Sequence, residues 1–220
     1  MKSYIVAVDG PAGSGKSTIA KLIAKKYNFT YLDTGAMYRM IAYYTIEHNI
    51  FLDDKVAINK MLDEVKLDIV GNQFFVDGKD VTELIRTPEV NAIVSEVAAI
   101  KEIRKKLVDL QRAIGNNKKI ILDGRDTGTT VFPNADVKIF LLASPEIRAK
   151  RRLNEYNEKN TKITYEEVLE SIKKRDYIDS TREESPLVMA SDAKKVDSSD
   201  KNIEEVVAEI SKYIDESYAI

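Results

Sequence analysis

Apolar residues in this chain fall either in short unbroken runs or in longer stretches where they recur every three or four positions. "YIVAV", Tyr4 to Val8, is the first run, of the kind that forms central parallel strands buried on both faces. "TIAKLIAKKY" then places Ile19, Leu22 and Ile23 at helical spacing. A short apolar piece, Phe29 to Leu32, precedes "DTGAMYRMIAYYTIEH", which reads as a loop followed by a helix. Helical pattern covers Asp54 to Val65, and between Lys66 and Val81 the rhythm turns β-like around Gly71-Asn72 and Asp77-Gly78, both turn signals. That stretch predicts a small antiparallel hairpin or three-stranded piece inserted into an α/β core.

"TPEV", Thr87 to Val90, offers an N-cap and a proline at the first helical position, and helical pattern continues with a break to Ile114. "KIILD" and "DVKIFLL", the latter ending at Leu142, are further buried-strand candidates. "SPEIRAKRRLNEYNEK" is a helix capped by Ser144 and Pro145, and "TYEE" is a capping box that opens a helix to Ser180. "KKVDSS" predicts a short strand, and "NIEEVVAEISKYIDESY" an amphipathic helix. Strands alternating with helices predict an α/β fold with a parallel sheet covered by helices on both faces.

Composition narrows the function classes. The chain has 220 residues, enough for one well-buried domain with an insertion. Its net charge of −2 gives no bulk attraction to nucleic acid or acidic membranes, so any anion site must be local. The absence of cysteine excludes disulfides and thiolate metal sites and favours a reducing compartment. "SYIVAVDG" at Ser3 leaves no room for a signal peptide, and no apolar run approaches a bilayer's thickness. The expectation is a cytoplasmic protein, a monomer, with no nucleic-acid or membrane partner.

Gly10 to Ser17, "GPAGSGKS", matches G-x-x-x-x-G-K-[ST] between a predicted strand and a predicted helix. Gly10, Gly13 and Gly15 let the backbone turn so that successive N–H groups point inward, with the helix dipole adding positive character. Pro11, Ala12, Ser14 and Thr18 complete the predicted ATP-binding segment. Lys16 would neutralise β- and γ-phosphate oxygens, and Ser17 would ligate Mg²⁺.

A second strand end carries "DGRD". Asp123 there should lie beside the phosphate loop at the carboxyl edge of the sheet, where a carboxylate holds the metal or its waters. Arg125 and Asp126 would then face a second substrate, the plainer reading being a structural Asp–Arg pair. Ten of the 34 basic residues are arginines, and they recur at motif-like places: Arg39, Arg104, Arg125, then Arg148, Arg151 and Arg152 on one helical face, with Arg175, Asp179 and Arg182 on another. Planar guanidiniums suit phosphate. His48 and the group Tyr38, Tyr43 and Tyr44 read as structural.

The combination "DGPAGSGKST", "YLDTGAMYR", "IRTPEV", "SEVAAIKEIR", "DGRDTGTTVFPNADVKIFL", "RR", "KRDYIDSTREESPL" and "DAKKVDSS" closely resembles the bacterial-type cytidylate kinase, or (d)CMP kinase, family over nearly the whole chain. The resemblance implies a single P-loop kinase domain. Its core would span 1–33, 115–147 and 183–220, with an NMP-binding region at 34–114 and a lid with its following helix at 148–182. It implies transfer of the ATP γ-phosphate to CMP or dCMP with Mg²⁺.

By motif, Thr34 and Arg39 would serve the acceptor nucleotide, Arg39 on its phosphate. Ser95, Arg104 and Asp126 would read cytosine. Arg125 and Arg175 would hold phosphate, Asp179 would lie near the ribose, and Arg182 near base and phosphate. Arg148, Arg151 and Arg152 would lie on the lid that closes over ATP. Lys16, Arg39, Asp123, Arg125 and Arg152 make up the catalytic set. Thr34 stands where serine is frequent in the family, and Thr127 where methionine is frequent. Two other readings stay open from the residues: a P-loop kinase for UMP or another small acceptor, and a nucleotide-dependent switch without acceptor chemistry.

Overall fold

The computed structural model describes residues 3–158 and 162–218. It divides into two compact units, Met1–Leu32 with Ile114–Ile220, and Asp33–Ala113. The first holds a five-stranded sheet built from β1 (Tyr4–Asp9), β2 (Thr30–Asp33), β6 (Lys119–Gly124), β7 (Val137–Leu142) and β8 (Lys194–Asp197), in the order β2-β6-β1-β7-β8. β1 pairs in parallel with β6 and β7, and β7 with β8. Every strand therefore needs a crossover, and the α-helical stretches of the sequence supply them.

One sheet face carries Val6, Val8, Ile121, Ile139, Leu141 and Val196. It packs against Ile19 and Ile23 of α1 (Lys16–Tyr27) and Val206, Ile210 and Ile214 of α8 (Ile203–Tyr218). The alternate positions Ala7, Ile120 and Leu122 are equally buried, so the sheet is covered on both faces and its strands read as continuous apolar runs. The parallel sheet flanked by helices is the predicted one. After β7, α6 (Pro145–Glu158) and α7 (Tyr165–Thr181) pack through Ala149, Val168 and Ile172. The Ser144 hydroxyl accepts from Ile147 N at 3.2 Å, and Thr164 with Glu167 forms the expected capping box. Residues 159–161, within the stretch expected to form the lid, lie outside the described residues.

The second unit contains α2 (Thr34–Glu47), α3 (Lys55–Glu64), a three-stranded antiparallel sheet, α4 (Pro88–Val97) and most of α5 (Lys101–Gly115). The small sheet runs β3 (Leu67–Val70), β4 (Gln73–Val76), β5 (Lys79–Asp80). Asp77 and Gly78 both adopt positive φ, 50° and 79°, as a tight hairpin turn requires. Phe74 and Val76 of β4 bury against Ala36 and Met40 of α2.

The expected loop at "DTG" is instead the start of α2. Asp33 Oδ1 accepts from Ala36 N at 2.9 Å, so the aspartate is an N-cap and the helix begins at Thr34. No helix among the described residues is long and apolar enough to cross a membrane.

Candidate active site

The segment between β1 and α1 is shaped by glycine conformations and by one close approach. Gly15 caps α1 in the left-handed region at φ 92°, leaving the first turn's N–H groups without a side-chain cap. At Gly10, φ is 150° and a Cβ would stand 2.1 Å from the Leu141 carbonyl oxygen. Gly10→Ala must therefore displace β1 from β7, and a strained backbone of this kind costs about 1–3 kcal/mol, roughly 2–12 °C in Tm for a chain of this size. A melting temperature within a degree of wild type would contradict this account of the turn.

Lys16 is buried, and its Nζ donates to the Pro11 carbonyl at 2.7 Å and lies 3.5 Å from Ser14 Oγ. Burial first, and the Arg125 guanidinium second, push its pKa well below that of an ordinary lysine. Ser17 Oγ donates to Asp123 Oδ2 at 2.8 Å, and Tyr31 donates its hydroxyl to Asp123 Oδ1 at 2.7 Å. The two strand-end motifs, read apart in the sequence, meet here because β1 and β6 are neighbours with Asp9 opposite Gly124. Among the described residues no group of three or more histidine or carboxylate side chains gathers as a metal cage. Ser17 and Asp123 nonetheless fit a hard cation that takes its other oxygens from phosphate and water.

Beyond Asp123 the charges interlock. Arg125 Nε donates to Asp179 Oδ2 at 2.8 Å. Arg182 lies 3.7 Å from Asp179 and 3.8 Å from Asp126, and donates to the Ser185 carbonyl at 2.7 Å. Burial opposes the ionised form of Asp179, but Arg125, Arg175 and Arg182 outweigh it and its pKa is lowered. Burial likewise opposes the charge on Arg125, yet Asp179 and Asp123 more than offset it and its pKa is raised. Arg175 is brought down to about 10 by burial and then by Arg125, and its buried Nε has no hydrogen-bond partner. Three arginines held by two aspartates form a cationic cluster within reach of Lys16's field.

The arginines of α6 share a helical face but not a set of partners. Arg148 is buried and donates to the carbonyls of Ala143 and Ala12 at 2.9 and 3.0 Å, and to both oxygens of Asp176 at 3.1 and 2.7 Å. It ties the phosphate loop to α7. Arg151 donates to the Ser198 carbonyl at 2.6 Å and to its hydroxyl at 3.1 Å. Arg152 pairs with Glu155 at 2.7 Å and lies 5.0 Å over the Tyr156 ring.

In the second unit, Thr34 is buried at the first position of α2, and Arg39 donates to Asn91 Oδ1 at 2.6 Å. Arg104 is buried, donates to the Ala98 carbonyl at 2.9 Å and stacks 5.1 Å over the Tyr38 ring. The Ser95 hydroxyl is buried without a hydrogen-bond partner. Tyr38 thus serves an arginine as well as the packing of its helix. His48 is exposed and stacks on Tyr44 at 3.9 Å.

A family model described as cytidylate kinase matches residues 6–216. The chain belongs to the cytidylate kinase family. It is 59% identical to a cytidylate kinase of Fusobacterium nucleatum, with 98% of this chain and 99% of that protein covered. It is 48% identical to one from Carboxydothermus hydrogenoformans, covering 95% and 96%. Among solved structures, a gluconokinase from Sinorhizobium meliloti superposes with a TM-score of 0.50 at 12% identity, covering 99% and 95%. That likeness concerns fold alone. A cytidylate kinase is a phosphotransferase, and the assembled phosphate loop is the part of the fold such chemistry requires.

Sequence reasoning passed over Tyr31, Asp9, Asn91 and Asp176. Tyr31 lies in the motif "YLDTGAMYR", but its pairing with Asp123 follows from the β2-β6 neighbourhood in the sheet, which the sequence does not display.

Proposed function

We propose that this cytidylate kinase family member transfers the γ-phosphate of ATP to CMP or dCMP, giving CDP or dCDP, as a monomer in the cytoplasm. The observation that carries the reading is the arginine–aspartate cluster of Arg125, Arg175, Arg182, Asp126 and Asp179 beyond the phosphate loop. A nucleotide switch needs no second anion-binding set, whereas an acceptor phosphate does.

ATP would be bound by Gly10 to Thr18 with Lys16 on the transferring phosphate, and Mg²⁺ would be held through Ser17 and Asp123, neutralising phosphate charge. Arg125 and Arg175 would hold phosphate, with Asp179 at the ribose and Arg182 near base and phosphate. Arg39 would also serve the acceptor phosphate and Thr34 the acceptor nucleotide, while Ser95, Arg104 and Asp126 would read cytosine. Arg152 would act on ATP from the lid at 148–182. Arg148 and Arg151 would act on ATP by fixing the phosphate loop and the Ser198 turn. No covalent intermediate is needed: these residues neutralise charge, hold donor and acceptor in line and exclude water.

Cytosine presents an amino donor where uracil presents an acceptor, and a carboxylate is the matching partner. Asp126→Asn should lower CMP efficiency and narrow the CMP-over-UMP ratio of kcat/KM by about ten- to hundredfold. An acceptor panel with coupled ADP detection measures both quantities. Equal losses for both acceptors would remove Asp126 from the base-reading group, and preference for another acceptor would replace the reading.

A further inference from the structure

The carboxylate of Asp9 is buried at the end of β1, immediately before Gly10. It takes part in no ion pair among the described residues. It accepts instead from three donors on one turn: Thr127 N at 2.8 Å and Thr127 Oγ at 2.6 Å on Oδ1, and Gly128 N at 2.7 Å on Oδ2. A buried carboxylate is costly unless hydrogen bonds satisfy it, and these three donors engage both of its oxygens. Burial nevertheless raises the Asp9 pKa against the opposing effect of the three hydrogen bonds.

The turn so held is an unusual one. Thr127–Val131 forms a wide helical turn closed by Val131 N to Asp126 O at 3.1 Å and Phe132 N to Thr127 O at 2.7 Å. Such i→i+5 turns are short and tend to occur at functional sites. Asp126 stands at its mouth with φ −142° and ψ 23°. Gly128 fits closely, since a Cβ there would meet Asp9 Oδ2 at 3.3 Å and Lys138 Cδ at 3.2 Å. Thr127 is fully buried, so its hydroxyl serves this anchor rather than solvent.

We propose that Asp9 and Thr127 are positioning residues for acceptor choice: the Asp9 carboxylate clamps the 127–131 turn and thereby fixes where Asp126 presents its own carboxylate. The proposal rests on the reading of Asp126 as a cytosine-reading residue. It adds a physical link between the two substrates, because the anchor of the base-reading turn is the residue that leads into the phosphate loop. It also gives Thr127, which stands where the resembling family often has methionine, a hydroxyl with a defined task.

The test compares Asp9→Asn, Thr127→Val and Thr127→Ser with Asp126→Asn as the reference. An amide at position 9 can still accept on one side but sets an N–H donor against either Gly128 N or the Thr127 donors, so the clamp breaks with little change of volume. A misplacement of this kind in a reaction that depends on alignment costs roughly ten- to hundredfold. Asp9→Asn should therefore lower kcat/KM for CMP by about tenfold or more and narrow the CMP-over-UMP ratio. Thr127→Val should narrow the ratio less, and Thr127→Ser, which keeps the hydroxyl, should retain it.

A purely structural role would lower Tm and reduce both acceptors equally, leaving the ratio where it was. If Asp126→Asn narrows the ratio while Asp9→Asn and Thr127→Val do not, this proposal falls and the base-reading assignment survives. If Asp126→Asn itself leaves the ratio unchanged, both fall. Should Asp9→Asn fail to fold, the Thr127 pair decides: equal ratios for valine and serine overturn the clamp.

Discussion

Lys16→Ala is expected to lower kcat by about 10²–10³ or more while the protein still folds. The rate follows from where charge develops. In phosphoryl transfer it spreads over the equatorial oxygens of the moving group, and in the proposed role Lys16, at the start of α1, would meet it there. Folding should survive because the ammonium is no source of stability where it sits. It is buried, its Nζ rests on the Pro11 carbonyl at 2.7 Å, and burial together with Arg125 disfavours its charged form. Truncation takes a donor from the Pro11 carbonyl, a cost of about 1–3 kcal/mol, but also removes a desolvated cation, which offsets part of it. The measurement is single-turnover phosphate transfer alongside a thermal melt. Turnover near wild type would remove Lys16 from the reacting phosphate, and a collapse of Tm would make the loss of rate uninformative about charge.

Much of the frame was legible because local rules decide it. The cores of β1, β6 and β7 (residues 4–8, 120–122 and 139–142) are apolar runs since both faces of a parallel sheet are buried. The Thr164–Glu167 capping box and the Pro88 start of α4 are local signals whose partners lie within four residues. The phosphate loop was legible for the same reason, being one contiguous stretch.

What the sequence concealed is pairing across the chain. Arg148, Arg151 and Arg152 at i, i+3, i+4 do share a face, yet spacing says nothing of what the face meets. Arg148 meets Asp176, 28 positions on, and Arg151 meets Ser198, 47 on. Asp9 and Thr127 are 118 apart, and Tyr31 and Asp123 are 92 apart. Each is an ordinary polar residue beside a strand, and only the β2-β6-β1 order brings them together. "DTG" misled for a different reason: Thr and Gly are weak helix formers, and the Asp33 cap with the buried packing of Ala36 and Met40 overrode that preference.

Arg125→Ala should impair CMP use by roughly 10²-fold or more in kcat/KM, with ATP affinity close to wild type. Arg125 is the hub of the acidic–basic cluster, 2.8 Å from Asp179 and electrostatically coupled to Lys16, Asp123 and Arg175. Its removal does two separable things. In the proposed role it takes a fork-shaped donor away from the acceptor phosphate, and it strips Asp179 of its nearest counter-charge, leaving a buried carboxylate to Arg175 and the more distant Arg182. The second effect is a stability cost, and Asp179→Asn in the same chain should return only part of it, because it neutralises the carboxylate that lost its nearest partner but also takes a counter-charge from Arg175 and Arg182. The first cannot be reversed that way.

The double variant is therefore expected to recover part of the melting temperature but not CMP turnover. Arg125→Lys is expected to recover little of either, because an ammonium is a point charge and reproduces neither the Nε contact to Asp179 nor planar recognition of phosphate. Separate titrations of ATP and CMP complete the test. Lost ATP affinity with CMP affinity intact would place Arg125 on the donor side. Recovery of full CMP turnover in the double variant would reduce Arg125 to a structural partner of Asp179.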